Sequence, residues 1–203
     1  MSAALTNEAN IEHSEDTPQG RPFAWYGMVF FLASEAVFFA NLIAAYLYLR
    51  VRAGAWPPTL DHLPAKPLDL ALTGVNTAIL IGSSFVLHFA IGGLKKGNQA
   101  RFKWLLGLTV VMGATFLSLQ GYEYLHNGFG PWDGIFGSVF YTLTGFHGAH
   151  VTFGVLFMLV VFFRGLRGDF TKSKHFAVTA IEMYWHFVDV VWVFLFVLVY
   201  VFQ

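Results

Sequence analysis

The sequence predicts an all-α polytopic membrane protein, a bundle of five transmembrane helices, from three observations. Hydrophobic residues make up 56% of the 203 residues and charged residues only 12%, a balance that argues against a soluble domain. The hydrophobic residues form five runs, each long enough for a helix to cross a bilayer. All 12 Lys and Arg residues lie outside these runs or at their edges. The runs cover about 25–49, 68–94, 102–125, 138–163 and 178–202.

The basic residues also predict the orientation of the bundle. Five crossings place nine of the Lys and Arg residues on one side of the membrane and three on the other. Because cytoplasmic loops are enriched in Lys and Arg, we expect the N-terminus inside and the C-terminus outside. Residues 1–22 are polar and lack the apolar core of a signal peptide. They are interpreted as a cytoplasmic tail ahead of one transmembrane domain, residues 23–203.

The first run contains an acidic residue at membrane depth. Glu35 lies ten residues after Trp25, which is about 15 Å along a helix and so near the mid-plane of the membrane. A lone charge there costs several kcal/mol, so the carboxyl group is expected to be protonated or to have a hydrogen-bonding partner. Two interpretations stay open: a proton-responsive site, or a neutral acid that holds helices together.

Small residues recur at helical spacing in the first two runs. Such ridges allow two helix backbones to approach closely. The sequence therefore predicts that the first two helices pack together. The residues are Ala36, Ala40 and Ala44 in the first run and Gly74, Ala78 and Gly82 in the second.

Runs two and three carry polar residues near their ends. His88 falls near the inner end of run two, where a lone histidine is interpreted as a bundle or interface residue and not as a ligand. Gln120 and Glu123 lie three residues apart near the end of run three and share one helix face. They are interpreted as a polar helix end that reaches the interface or a neighbouring helix.

Run four contains two histidines, His147 and His150, beside Gly145 and Gly148, which would let another helix approach. Two histidines three residues apart could bind zinc if Glu35, His186 or Asp189 supplied a third ligand. Histidines one turn apart on one helix cannot stack two haems across a bilayer. A hydrogen-bonded polar core is therefore the favoured interpretation, and no metal site is expected in this chain.

Run five begins with the most polar stretch inside any run. Glu182, His186 and Asp189 follow at i, i+4 and i+7, so they share one face of a helix. Ionisable groups are costly in hydrocarbon, so this face is predicted to be buried against protein. Our hypothesis is that Glu35, the two histidines of run four and the His186–Asp189 pair meet in the middle of the bundle.

Several motifs resemble subunit III of the haem–copper oxidases, most closely that of cytochrome c oxidase. Their order and spacing match the family from about residue 22 to the end. The tail before Trp25 is expected to have no counterpart in the family. The motifs are Phe31-Leu32-Ala33-Ser34-Glu35-Ala36-Val37-Phe38-Phe39, Leu119-Gln120-Gly121-Tyr122-Glu123-Tyr124, Gly137-Ser138-Val139-Phe140-Tyr141, Thr144-Gly145-Phe146-His147-Gly148-Ala149-His150-Val151 and Tyr184-Trp185-His186-Phe187-Val188-Asp189-Val190-Val191-Trp192.

The resemblance implies a non-catalytic subunit of a terminal respiratory oxidase in a bacterial plasma membrane. Such a subunit carries no haem or copper, which lie in partner subunits. It packs directly against catalytic subunit I, in a complex with subunit II and a subunit IV, stabilises it during turnover and supports proton uptake. It also holds phospholipid in a cleft between its helices. The family's carbodiimide-reactive glutamate corresponds to Glu35. Longer members have seven helices, and this chain matches the short form that lacks the first two.

Three alternatives remain at this point. A quinol oxidase subunit III is related, but it usually departs from the Ser-Glu and Trp-His-Phe-Val-Asp forms found here. A small proton channel or transporter could use the buried acids and histidines, although the sequence shows no internal repeat and no pair of broken helices. A membrane-bound haem protein is the third alternative, and the histidine spacing argues against it. Neither composition nor motif indicates a nucleic-acid partner.

Overall fold

The computed structural model describes residues 23–53, 56, 68–172 and 175–202, and their secondary structure is helical. Five helices are long and apolar enough to cross a membrane, as the sequence predicts. They are α1 (Phe23–Arg52), α2 (Leu70–Lys95), α3 (Gln99–His126), α4 (Gly134–Leu166) and α5 (Phe176–Leu195), and α5 continues as a π-helix over Phe196–Val201. The predicted tail, residues 1–22, lies outside the described residues.

Local sequence sets the turn between α2 and α3. Gly97 has a φ of 81°, a conformation that favours glycine, and its N–H donates to the Leu94 carbonyl oxygen at 2.9 Å. Asn98 follows and caps α3, its side chain accepting from the Arg101 N–H at 2.9 Å. Because this turn is so short, α2 and α3 form an antiparallel pair, the most extensive helix contact among the described residues.

Helices α2, α3, α4 and α5 form a closed four-helix bundle, since each packs on the next and α5 packs back on α2. α1 lies outside this bundle, against α4 and α5. In the most apolar 18-residue stretch of α1, only 6% is buried inside the structure, compared with 50% in the corresponding stretch of α5 and its π-helical end. Most of the surface of α1 is therefore available to lipid or to a partner protein.

The predicted packing of α1 on α2 is wrong. Ala36, Ala40 and Ala44 all lie on the exposed side of α1, and Ala78 is exposed on α2. A Cβ atom added at Gly74 would have no neighbour within 4 Å. The inward face of α1 is instead formed by large side chains such as Phe39 and Tyr46. Small-residue spacing permits close approach, but it does not specify which helix approaches.

Two of the close approaches in this bundle are to Trp185 of α5, which is fully buried. A Cβ atom at Gly154 of α4 would lie 2.7 Å from its ring, and one at Gly113 of α3 would lie 3.0 Å from it. These two glycines make room for the indole between three helices. Gly145, by contrast, has no neighbour within 4 Å of such an atom among the described residues, so none of the described helices approaches closely there.

The C-terminal end of α1 is joined to the C-terminal end of α5 by hydrogen bonds from side chains of α1. The carbonyl oxygen of Leu198, in the π-helical end, accepts from the Tyr46 hydroxyl at 2.8 Å and from Arg50 Nη1 at 3.2 Å. At the other half of α1, Phe31 stacks on Tyr184 with ring centroids 6.3 Å apart. α1 and α5 therefore run parallel, and α1 is held against α5 at both ends.

Candidate functional site

The polar residues predicted to meet in one place occupy four separate places in the structure. The hypothesis of a single mid-bundle cluster is therefore wrong, because successive polar residues along α4 and α5 face different neighbours. Only Glu35 and His150 meet as expected. His147, Asp189 and the pair of Glu182 and His186 each have other surroundings.

The first place is the Glu35–His150 pair, which joins α1 to α4. Glu35 Oε2 lies 2.9 Å from His150 Nε2, and the side chains are 22% and 16% exposed. The imidazole is packed by Phe39, whose ring centroid is 4.8 Å away, and Phe38 lies beside it at 6.1 Å. The Tyr184 hydroxyl of α5 donates to the His150 carbonyl oxygen at 3.0 Å. Residues of α1, α4 and α5 therefore meet at the pair, with aromatic rings from α1 and α5 beside it.

The hydrogen bonds of His150 fix how many protons the pair holds. Nδ1 lies 2.7 Å from the Phe146 carbonyl oxygen, which can only accept, so Nδ1 carries a proton. The bond from Nε2 to Glu35 then needs one further proton between the two groups. That proton either sits on the carboxyl group and is donated to Nε2, or sits on Nε2 and is donated to the carboxylate. Without it, two acceptors would face each other.

The second place is the α2–α5 seam, formed by three side-chain hydrogen bonds in register. Trp185 Nε1 donates to Ser83 Oγ at 2.9 Å, and Trp192 Nε1 donates to Thr77 Oγ1 at 2.9 Å. The Ser84 hydroxyl donates to Asp189 between them. Trp185 and Trp192 are both fully buried. The motif from Tyr184 to Trp192 is therefore explained largely by the packing of α5 against α2.

The third place is a polar core around α3, where Gln120 is 4% exposed, Glu123 3% and His147 of α4 0%. Glu123 lies beside Thr73 of α2 and Tyr200 of the π-helical end. Gln120 Nε2 donates to the Tyr124 hydroxyl at 3.3 Å, which donates to Thr144 Oγ1 at 2.7 Å. Gln120 and Glu123 therefore lie inside the bundle. The sequence predicted that they reach either the membrane interface or a neighbouring helix, and they reach neighbouring helices.

His147 in this core is arranged for packing. Its ring stacks on Trp192, with ring centroids 4.8 Å apart. It also forms a T-shaped contact with Phe116, with ring centroids 5.9 Å apart. Neither ring nitrogen has a hydrogen-bonding partner among the described residues. His147 and His150 therefore do not converge on a shared ligand.

The fourth place is the His88 cluster, made of His88, Glu182 and His186, on the surface between α2 and α5. His88 Nδ1 lies 2.8 Å from Glu182 Oε1, and His186 Nε2 lies 3.9 Å from the same oxygen. The side chains of His88 and His186 are 69% and 45% exposed. The prediction that the whole polar face of α5 is buried is therefore wrong: Asp189 is buried and His186 is not, because the face curls away from α2.

Sequence reasoning missed three features of these places. It did not pair His88 with Glu182, since nothing in either run indicates the other. It did not find the indole N–H donors of the α2–α5 seam, although Trp185 and Trp192 are seven residues apart and so share a face. It also assigned close approach to Gly145 and not to Gly113 and Gly154.

Comparison with known proteins identifies the chain's relatives. The sequence profile of the family described as "Cytochrome c oxidase subunit III" matches residues 4–203. The chain is 42% identical to "Cytochrome c oxidase subunit 3" of Synechocystis sp., over 98% of this chain and 86% of that protein. The proteins of the same description from Thermostichus vulcanus and Litocranius walleri are 41% and 40% identical, over 94% and 91% of this chain and 92% and 71% of theirs.

These matches correct one expectation. The family match begins at residue 4. The prediction that the segment before Trp25 has no counterpart is therefore wrong. The motifs that carry the resemblance all lie further along the chain, from Phe31 onward, so they gave no information on this segment.

Proposed function

This chain belongs to the cytochrome c oxidase subunit III family, and from that premise we propose that it is a non-catalytic subunit that stabilises catalytic subunit I during turnover and supports its proton uptake. Membership makes the chain part of a respiratory oxidoreductase complex, with other oxidase subunits as its partners. It is a multi-pass membrane protein. We place it in the bacterial plasma membrane with its N-terminus inside.

The Glu35–His150 pair is the observation that carries this proposal. It places a carboxyl group and an imidazole 2.9 Å apart at membrane depth, beside the rings of Phe38 and Phe39. The pair joins α1, the helix with the most exposed surface, to α4 of the bundle. Loss of the proton between the two groups would leave two acceptors facing each other and would weaken this contact.

The surroundings of the two histidines of α4 support a subunit without a redox centre. Haem iron or copper needs side chains that converge on one open point. His147 is enclosed by Trp192 and Phe116, and His150 is bonded to Glu35. Members of this family carry no redox cofactor themselves. We therefore assign haem and copper to the partner subunits.

The separation of the polar groups argues against a proton channel formed by this chain alone. A channel needs a continuous series of hydrogen-bonding groups from one side to the other. Here the Glu35–His150 pair lies between α1 and α4, whereas Asp189 is bonded to Ser84 on α2. The rings of Trp185 and Trp192 fill the bundle interior beside them.

We assign a phospholipid to a groove on the outside of α3 and α4. The groove has a volume of about 830 Å³, and its walls include Trp104, Leu108, Val111 and Phe162, which suit an acyl chain. Lys103 stands at the basic end of the same groove, where its ammonium group can pair with a phosphate. Subunit I is the direct protein partner in this proposal, with subunits II and IV in the same complex.

The experiment that tests the assignment isolates the complex through a tag on this chain, in mild detergent, and records a reduced-minus-oxidised spectrum. The same spectrum is recorded on the chain stripped of its partners and on membranes carrying the untagged chain. We expect oxidase haem bands in the complex and none in the stripped chain. A complex without haem would contradict the oxidase assignment, and haem retained by the stripped chain would contradict a non-redox subunit.

A further inference from the structure

The His88 cluster has the composition of a metal site. Two imidazoles and one carboxylate, from α2 and α5, offer ligand atoms that all lie within 4.8 Å of one another. Glu182 Oε1 is central, 2.8 Å from His88 Nδ1 and 3.9 Å from His186 Nε2. We propose that His88, Glu182 and His186 bind a divalent transition metal of the zinc type, with water as the fourth ligand.

The ligand set agrees with zinc chemistry. Zinc takes His and carboxylate ligands at about 2.0–2.2 Å, and open sites commonly have three protein ligands and one water. Tetrahedral bonds of that length place neighbouring ligand atoms about 3.3 Å apart. The separations from Glu182 to the two imidazoles, 2.8 and 3.9 Å, lie on either side of this value, and no pair of ligand atoms is more than 4.8 Å apart. Side-chain movements of about 1–1.5 Å would therefore bring the three ligands to these distances. Glu182 and His186 are also four residues apart and so project from the same side of α5.

The described residues leave the cluster uncovered. The side chains of His88 and His186 are 69% and 45% exposed, so their ring nitrogens are within reach. Both rings line a groove of about 520 Å³ between α2 and α5, which leaves room for a water ligand. His88 lies seven residues before Lys95, the last residue of α2, which is about 10 Å from the helix end. The cluster therefore lies about two helical turns from this end of α2, and the groove is the route by which an ion would reach it.

Glu182 has a position that favours an ion over a simple hydrogen bond. Its side chain is only 14% exposed, and it has two imidazoles on one oxygen. A neutral pair of His88 and Glu182 would use one of these rings and leave His186 without a role in the cluster. Asp189, one turn further along α5, is bonded to Ser84 and so is not needed as a ligand.

The test uses the full chain in detergent micelles, carrying a tag without histidine. The chain is stripped with chelator, equilibrated with zinc, passed through gel filtration and measured for bound metal. A parallel sample receives Co²⁺, whose visible absorption bands report a site of nitrogen and oxygen ligands. We expect one tightly held zinc per chain in the wild type, and a rise in thermal stability when zinc is present.

Three variants identify the ligands: His88→Gln, Glu182→Gln and His186→Gln. Each should lower zinc affinity by more than about tenfold, since even the loss of an outer-shell partner typically costs about 10–100-fold. His126→Gln is the matched control, because His126 is an exposed histidine at the end of α3, bonded to the Tyr122 carbonyl oxygen and stacked on Tyr122. It should bind zinc as the wild type does.

Two results would overturn the proposal. One is a wild-type chain that retains no zinc and shows no cobalt bands. The other is a set of ligand variants, with wild-type helix content by circular dichroism, that retain as much zinc as the His126→Gln control. If one variant fails to fold, the other two decide the outcome. Because metal binding is measured directly, the result is independent of whether the chain supports an oxidase.

Discussion

Glu35 on α1 and His150 on α4 lie 2.9 Å apart, and the other nitrogen of His150 is already bonded to the Phe146 carbonyl oxygen. The two side chains therefore share one proton across a helix interface. This relationship accounts for an acid at membrane depth without a net charge on the pair. It also ties the most exposed helix of the chain to the four-helix bundle.

Glu35→Gln should be tolerated, because the amide of Gln can donate to His150 Nε2 in place of the shared proton. Glu35→Leu leaves that nitrogen without a partner and should lower the free energy of unfolding by about 1–3 kcal/mol. Both can be measured by circular dichroism during SDS titration in mixed micelles. Equal losses in the two variants would show that the hydrogen bond contributes nothing to stability.

A hydrophobic carbodiimide should label Glu35 in preference to Glu182 and Asp189. The side chain of Glu35 is 22% exposed, compared with 14% for Glu182. Asp189 is only 7% exposed and is bonded to Ser84. Mass spectrometry of peptides from the labelled chain identifies the site. Label should disappear in Glu35→Gln and persist in Glu182→Gln. Labelling of Asp189 with Glu35 unmodified would contradict the accessibility described here.

Gly154→Ala should destabilise the chain, because the added methyl would lie 2.7 Å from the Trp185 ring, which is fully enclosed. Overpacking of this kind typically costs about 1–3 kcal/mol. Gly145→Ala, on the same helix, is the matched control, since nothing lies within 4 Å of its added methyl. Thermal unfolding in one detergent compares the two variants. Similar melting temperatures would mean that Trp185 can move aside.

Trp192→Phe should weaken the α2–α5 seam, because it removes the N–H donor to Thr77 Oγ1 while keeping an aromatic ring. The loss of one buried hydrogen bond is expected to cost about 0.5–1.5 kcal/mol. Trp132→Phe is the control, as Trp132 is 92% exposed. Unfolding of both variants is followed by circular dichroism. A control as destabilised as Trp192→Phe would show that the seam bond is not the cause.

The number and length of the helices could be predicted from the sequence, because a run of apolar residues must satisfy its backbone internally to cross a bilayer. The predicted run of about 25–49, for example, corresponds to α1 at Phe23–Arg52. What the runs do not encode is which helix lies beside which. The alanine ridge of α1 fits any close neighbour, and the structure turns it outward.

A polar contact could be predicted from the sequence only where both partners were ionisable residues in the middle of a membrane-spanning run. Glu35 and His150 were placed together on that ground, and they do meet. His88 near a helix end is unremarkable by itself, so its bond to Glu182 emerges only from the structure. The same holds for Ser83 and Thr77, because short hydroxyl side chains in a helix usually bond their own backbone.

The central claim, a non-catalytic subunit that protects subunit I, is tested most directly by turnover of the oxidase with and without this chain. Oxygen consumption is followed from the first turnover until activity ends, in the intact complex, in the complex depleted of this chain and after purified chain is added back. We expect depletion to leave haem content and the initial rate largely intact but to shorten the active lifetime several-fold, with add-back restoring it. An unchanged lifetime after depletion, or an immediate loss of all activity with the haems still in place, would contradict the account.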